Sequence, residues 1–186
     1  MNASIPAINY ESMFDALFPG YFEKEFIRSL PEDDVSCEMV LPLADFQDGG
    51  PLTGLPQGVR FGFYRGEAAP LLQAVNAVDE GWAQYFANTE RCFCATLGDQ
   101  VLSFCIVDEM GVYDGLRVGG PGCVGTVPAF RRQGVGLELV RRATLILKQR
   151  GFDLSYIHYT HVDRWYEHLG YQTVLRWNCR GFVRQP

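Results

Sequence analysis

Apolar and polar positions alternate in VRFGFYRG (59–66), a pattern that predicts a strand with one buried face. EAAPLLQAVNAV (67–78) and DEGWAQYFA (79–87) repeat their apolar positions at helical spacing, with Asp79 as N-cap of the second. RCFCATLGDQVLSFCIVDE (91–109) predicts two strands joined at Gly98-Asp99, a pair suited to a tight hairpin. GLRVGGPGCVGTV (115–127) reads as a third strand, rich in glycine. A long amphipathic helix is expected from Gln133 to Arg150, closed by Gly151 in the left-handed C′ position. DLSYIHYT (153–160) then reads as a strand, VDRWYEHLG (162–170) as a short helix, and YQTVLRWNCRGFV (171–183) as a last strand or pair.

Before Val59 the pattern is less regular. YESMFDAL and YFEKEFIRSL suit two short helices broken at Pro19-Gly20, followed by a short strand over Cys37–Leu43 and a Gly/Pro-rich connector. This divides the chain into a helical N-terminal extension, 1–55, packed on a main domain, 56–186. The hairpin forces antiparallel neighbours, and the later strand–helix–strand unit requires a parallel crossover. The expected fold is therefore α/β with a mixed sheet. Covering a cleft of the main domain, completing the sheet and forming a homodimer contact are all open roles for the extension.

The length of 186 residues suits one sizeable domain, and 47% apolar content suffices for a core. No apolar run approaches the roughly 20 residues of a membrane span, and no secretory leader is recognisable. The expectation is a cytoplasmic protein with no membrane partner. Six cysteines form no CxxC pair and do not join His158, His161 or His168 at zinc spacing, so no metal site is expected. The net charge of −6 argues against nucleic acid. Residues 1–100 carry 15 acidic and 5 basic side chains, a balance of −10, whereas 101–186 carry 7 and 11, a balance of +4. Such asymmetry points to different partners for the two halves.

The candidate chemistry centres on RRQGVG (131–136), where paired arginines and two glycines meet the start of the long helix. A helix N-terminus carries unpaired amides and partial positive charge, and anions bind there. The dinucleotide pattern GxGxxG fails because its third position is Leu139, and no Gly-Lys pair exists for a Walker loop. What remains is a pyrophosphate bound by turn amides.

VGTVPAFRRQGVGLEL (124–139) resembles the cofactor motif of the GCN5-related N-acetyltransferases, a strand followed by R/Q-x-x-G-x-G/A and a helix; Arg131, Gly134 and Gly136 fill the pattern. RWYEHLGY (164–171) resembles that family's late motif through Tyr166, Gly170 and Tyr171. The resemblance covers about residues 59–183. It implies a mostly antiparallel sheet flanked by helices and an acyltransferase that uses acetyl-coenzyme A. Val124, Gly125 and Thr126 would pair with the pantetheine arm, while Arg131, Arg132, Gln133, Gly134, Val135, Gly136 and Leu137 would hold the pyrophosphate. The strand before the turn would bulge and splay, and a main-chain N–H near Thr126 would meet the oxyanion. Tyr166 would be the general acid. For the base, His158 stands first, with His161, Asp108 and Glu109 as alternatives or water in place of any of them. Asp79, Glu80, Trp82 and Tyr85 come into view for the acceptor, a small-molecule or peptide amine. Tyr159 stands where the family commonly has asparagine, which leaves a non-catalytic acyl-coenzyme A binding module as the alternative.

Overall fold

The structure, a computed structural model, describes residues 7–184; the first six residues of the expected extension lie outside it. Its helices are α1 (Tyr10–Leu17), α2 (Glu25–Arg28), α3 (Ala68–Asn76), α4 (Val135–Gln149) and α5 (Asp163–Glu167). Its strands are β1 (Ser36–Pro42), β2 (Arg60–Phe63), β3 (Cys92–Leu97), β4 (Gln100–Tyr113), β5 (Leu116–Thr126), β6 (Leu154–Thr160), β7 (Gln172–Asn178) and β8 (Gly181–Phe182). They form one eight-stranded sheet in the order β2-β3-β4-β5-β6-β1-β7-β8. Among the described strands β5 and β6 are the one parallel pair, so the sheet is mixed and mostly antiparallel, as expected.

β1 has a central place. It runs antiparallel to both β6 and β7 and fills the gap that the β6–α5–β7 crossover leaves. Six of its seven residues are buried, so it reads as a fully covered strand rather than an alternating one. The boundary drawn at residue 55 thus runs through a single sheet, to which residues 36–42 contribute an internal strand.

α4 lies on one face, where Leu139, Val140, Ala143 and Leu147 pack on Met39, Leu102, Val107 and Ile157. Each fully buried side chain of this size contributes about 1.5–3 kcal/mol. The opposite face carries two covers. α3 and the following 3-10 helix pack Leu71, Val75 and Phe86 over Cys94, Phe104 and Ile106. α1 packs Met13 over Val40, Val118, Leu154 and Tyr156, while Phe14 and Tyr21 gather around Trp177.

Two expected helices take tighter forms. The segment after Asp79 is a 3-10 helix, Glu80–Phe86, because Asp79 Oδ1 accepts from the Gly81 amide at 2.8 Å and closes the first turn early. Residues 21–30 split into a 3-10 turn and α2, with extended backbone at Lys24 between them. α4 follows expectation at its C-terminus, where Gly151 has φ +75°. Among the described residues no helix is long and apolar enough to cross a membrane.

Candidate functional site

The site forms where β5 parts from β6. Their pairing consists of Val118↔Leu154 and Gly119↔Ser155; beyond these residues the strands diverge and leave an opening. On its other side β5 loses register with β4: Phe104 opposes Gly125 and Ile106 opposes Gly122, so Cys123 and Val124 together face Cys105. That is a β-bulge, with Cys123 at φ +47°. A non-glycine residue in this region costs about 1–3 kcal/mol and needs a rigid surround. The surround is present: buried Ser103 donates to the Gly125 carbonyl at 2.7 Å and shares a 3.0 Å hydrogen bond with Thr126 Oγ1.

From Thr126 the chain turns through a 3-10 helix at Pro128–Phe130 into the glycine-rich turn. Arg132 and Gly134 both adopt left-handed backbone, φ +62° and +75°, and Gly134 is the N-cap of α4 without a side-chain cap. The first amides of a fifteen-residue helix are thus left to an outside acceptor. Gly136 is fixed by packing. A Cβ there would lie 2.5 Å from Thr126 Oγ1, so only glycine lets the helix start abut the end of β5.

These elements enclose a cavity of about 490 Å³. Val124, Gly125 and Thr126 form one wall, and Arg131, Arg132, Gly134, Val135, Gly136 and Leu137 form another. Tyr166 and Trp165 from α5 close it, with Val78, Phe130 and Val162 adding apolar surface. Of the residues assigned to the cofactor in the sequence, Gln133 alone does not line this cavity; its amide turns back to the Ala129 carbonyl at 3.1 Å. The paired arginines differ. Arg131 donates through Nε to the Thr126 carbonyl at 3.1 Å and braces the turn. Among the described residues Arg132 has no hydrogen-bond or ion-pair partner, which leaves its guanidinium free for an anion.

The two tyrosines of the late motif also separate by role. Tyr171 is buried and shares its hydroxyl with Ser155 at 2.6 Å and Thr144 at 2.8 Å, which ties α4 to β6. Burial pushes its phenol up to about 12. Tyr166 is 5% exposed, meets Trp165 edge-on at 4.8 Å and faces the cavity. Burial pushes its phenol well above the usual range, so it keeps its proton throughout the neutral region.

The other candidates lie elsewhere. His158 does not line this cavity; it is on the α1 side, stacked on Phe18 at 4.0 Å with Nδ1 against Glu38. His161 clamps Asp34 at 2.7 Å and Ser36 at 3.1 Å, holding the approach to β1. Asp108 pairs with Arg91 at 2.7 Å, and Glu109 with Arg117 at 3.4 Å. Asp79 acts as a cap, Glu80 is exposed, and Trp82 packs against the α3 core. Tyr85, half-exposed on the same 3-10 helix, lines a second hollow of about 370 Å³ with Gln84, Asn88, Asp108, Gly122 and Cys123. The bulge of β5 thus borders both hollows: Val124 faces the first and Cys123 the second. Ser103, Trp165, Gln84 and Glu38 escaped the sequence reading, for each is an ordinary residue within its element. The Ser103–Gly125 contact joins positions 22 residues apart and carries no local signal.

A bulged strand, a parting of parallel neighbours and a glycine-started helix thus build the site. Residues 88–173, a little under half of the chain, match the family model described as Acetyltransferase (GNAT) domain. No curated protein sequence matches the chain. Among solved structures, one described as a GCN5-related glucosamine N-acetyltransferase region of a fungal multi-domain GH3 beta-N-acetylglucosaminidase is similar, with a TM-score of 0.65, 18% identity, and coverage of 92% of this chain and 23% of that one. GCN5-related N-acetyltransferases from Sphaerobacter thermophilus (TM-score 0.55, 16% identity, 76% and 49% coverage) and Kribbella flavida (0.55, 19%, 83% and 60%) are also similar. At these identities the likeness shows the fold, and the chain spans less than two thirds of each of the three.

Proposed function

We propose that this protein transfers an acetyl group from acetyl-coenzyme A to an amine by direct attack. The observation that carries this reading is that the free amides of α4, the unpaired Arg132 and the phenol of Tyr166 all face one cavity. The residues fit an elongated anionic thioester. Amides of residues 132–137 and the Arg132 guanidinium suit the pyrophosphate. Cys123 and Val124, outside the β4 register, suit the pantetheine and thioester. A main-chain N–H beside the bulge would meet the oxyanion.

In the reaction the neutral amine nitrogen attacks the acetyl carbon, the carbon–sulfur bond breaks, and the sulfur receives the proton of Tyr166. The phenol regains a proton from solvent, and the proton that the amine sheds balances it. The acceptor would enter from the second hollow, because it reaches the other side of the same bulge. Tyr85, Gln84, Asn88 and Asp108 there offer an aromatic face, amides and a carboxylate. Such a lining suits a small polar amine. The glucosamine named for the fungal region adds amino sugars to polyamines and peptide amines as acceptors.

The test is coenzyme A thiol release, measured with acetyl-coenzyme A against a panel of amino sugars, polyamines and peptide N-termini. The expected result is amine-dependent release with at least one class. Tight binding of acetyl-coenzyme A with no turnover of any amine would favour a binding module instead.

A further inference from the structure

Glu38 is a fully buried carboxylate on β1, in the middle of the sheet. It accepts hydrogen bonds from Trp177 Nε1 at 2.6 Å, the Tyr159 amide at 3.1 Å, and His158 Nδ1 at 3.0 and 3.1 Å. All three donors come from β6 and β7, the strands that flank β1. Stability alone does not explain the group, since a buried charge is commonly no better than an apolar residue of like volume. Its geometry, in contrast, has a consequence for His158.

A carboxylate accepts only, so the ring nitrogen facing it carries the proton and the other, Nε2, presents a lone pair. Phe18 lies flat on the imidazole at 4.0 Å and 14°, and Tyr21 meets its edge at 4.9 Å, so the ring cannot turn freely. The His158 side chain is 23% exposed, and among the described residues its Nε2 has no partner. The buried hydroxyl of Tyr21 also lacks a partner, and Tyr21 and Tyr156 both feel the charge of Glu38. His158 stands three residues past the last β5–β6 pair, where β6 has parted from the strand that carries Gly122 and Cys123 of the second hollow. It shares its sheet face with Tyr156, which packs in one cluster with Met110, another residue lining that hollow.

We propose that Glu38 is a positioning residue, which holds His158 in the Nδ1–H tautomer so that Nε2 removes a proton from the acceptor ammonium. This rests on the acetyl-transfer reading above. The N–H bond of the ammonium breaks and an Nε2–H bond forms, which leaves a neutral amine with a lone pair for the acetyl carbon. The imidazolium then releases its proton to solvent. The N-terminal strand thereby supplies a part of the acceptor site that residues 59–183 do not contain.

The direct test is long-range proton–nitrogen correlation NMR on protein labelled at histidine nitrogen, at alkaline pH, for wild type and Glu38→Gln. Wild type is expected in the Nδ1–H form. In Glu38→Gln the amide keeps an oxygen for Trp177 and turns its NH2 to Nδ1, so the ring switches to Nε2–H. With it, kcat for amine acetylation falls about 10²-fold, the lower range of general-base effects, while KM for acetyl-coenzyme A is unchanged. An Nε2–H tautomer in wild type overturns the proposal. So does a Glu38→Gln protein that retains full turnover. If that variant fails to fold, His158→Gln carries the kinetic arm, and undiminished kcat in it overturns the proposal equally. Absence of turnover with every amine by wild type would remove the acetyl-transfer reading as well, whereas turnover insensitive to both substitutions removes only the pairing.

Discussion

Tyr166 is the residue whose chemistry can be isolated most cleanly. Its ring packs between Trp165 and Tyr171, at 4.8 and 5.9 Å, so replacement by Phe leaves that packing in place and deletes one hydroxyl. Tyr166→Phe is expected to lower kcat about 10²-fold or more with little change in the affinity for acetyl-coenzyme A. The pH dependence follows from burial, which raises the phenol above its ordinary value of about 10. A raised value means that the protonated, donating form persists upward in pH, so the wild-type kcat profile should show no alkaline limb from this group below about pH 10. A loss of activity between pH 8 and 9 that Tyr166→Phe abolishes would contradict the assignment. Both tyrosines of the late motif could be read from sequence, but their division of labour could not. Tyr171 is committed to Ser155 and Thr144 by contacts 16 and 27 residues away, and no local pattern marks these.

At the scale of elements, α4 joins the glycine-rich turn to the rest of the molecule. Its buried Glu138 binds Arg141 at 2.8 and 2.9 Å, Arg142 at 2.6 Å and the Leu52 amide at 3.1 Å, and Arg141 pairs in turn with Asp48. Through this hub the connector after β1 is strapped along the helix, with Lys148 holding the Phe46 carbonyl at 2.9 Å. Burial pushes the Glu138 carboxyl up, but the hydrogen bonds from Arg141, Leu52 and Arg142 outweigh it and leave it below the usual range. A folded-state value lower than the unfolded one gives stability that is present above about pH 4.3 and lost as pH falls through the folded value. Glu138→Gln is therefore expected to destabilise by about 1–3 kcal/mol near neutrality, measured by urea unfolding, because buried Arg141 loses one of its two carboxylate partners and keeps Asp48. The difference from wild type should shrink in acid. The helix itself was legible from its apolar period and from Gly151. Its start was not: left-handed Gly134 moves the first helical residue from Gln133 to Val135. The short helices were harder still, since Asp79 and Lys24 bend the backbone through local turns that periodicity does not detect.

For the whole molecule, the sheet order explains why a single sequence reading sees two parts where the fold has one sheet. From Val59 onward neighbouring segments mostly pair with one another, and turn chemistry reveals that. β1 pairs with residues about 110 to 140 positions away, and its buried faces show neither alternation nor helical period. The short strand over Cys37–Leu43 was therefore visible, but its place was not. The charge asymmetry acquires a partial physical account. Among the described residues Arg132 has no carboxylate partner and borders the cavity at the start of α4, whereas Arg141, Arg142 and Arg176 are spent on internal carboxylates. In the proposed complex acetyl-coenzyme A lies in the cavity at the start of α4, with its thioester beside the β5 bulge and Tyr166. The most direct measurement is a titration of acetyl-coenzyme A into nitrogen-15-labelled protein, followed by backbone amide NMR. The largest shifts are expected at Val124–Thr126, at Arg132–Leu137 and around Tyr166, and Arg132→Ala should weaken binding by about 10-fold or more, as loss of a charge-assisted hydrogen bond predicts. No shifts at high micromolar ligand, or shifts confined to residues away from these segments, would contradict the account.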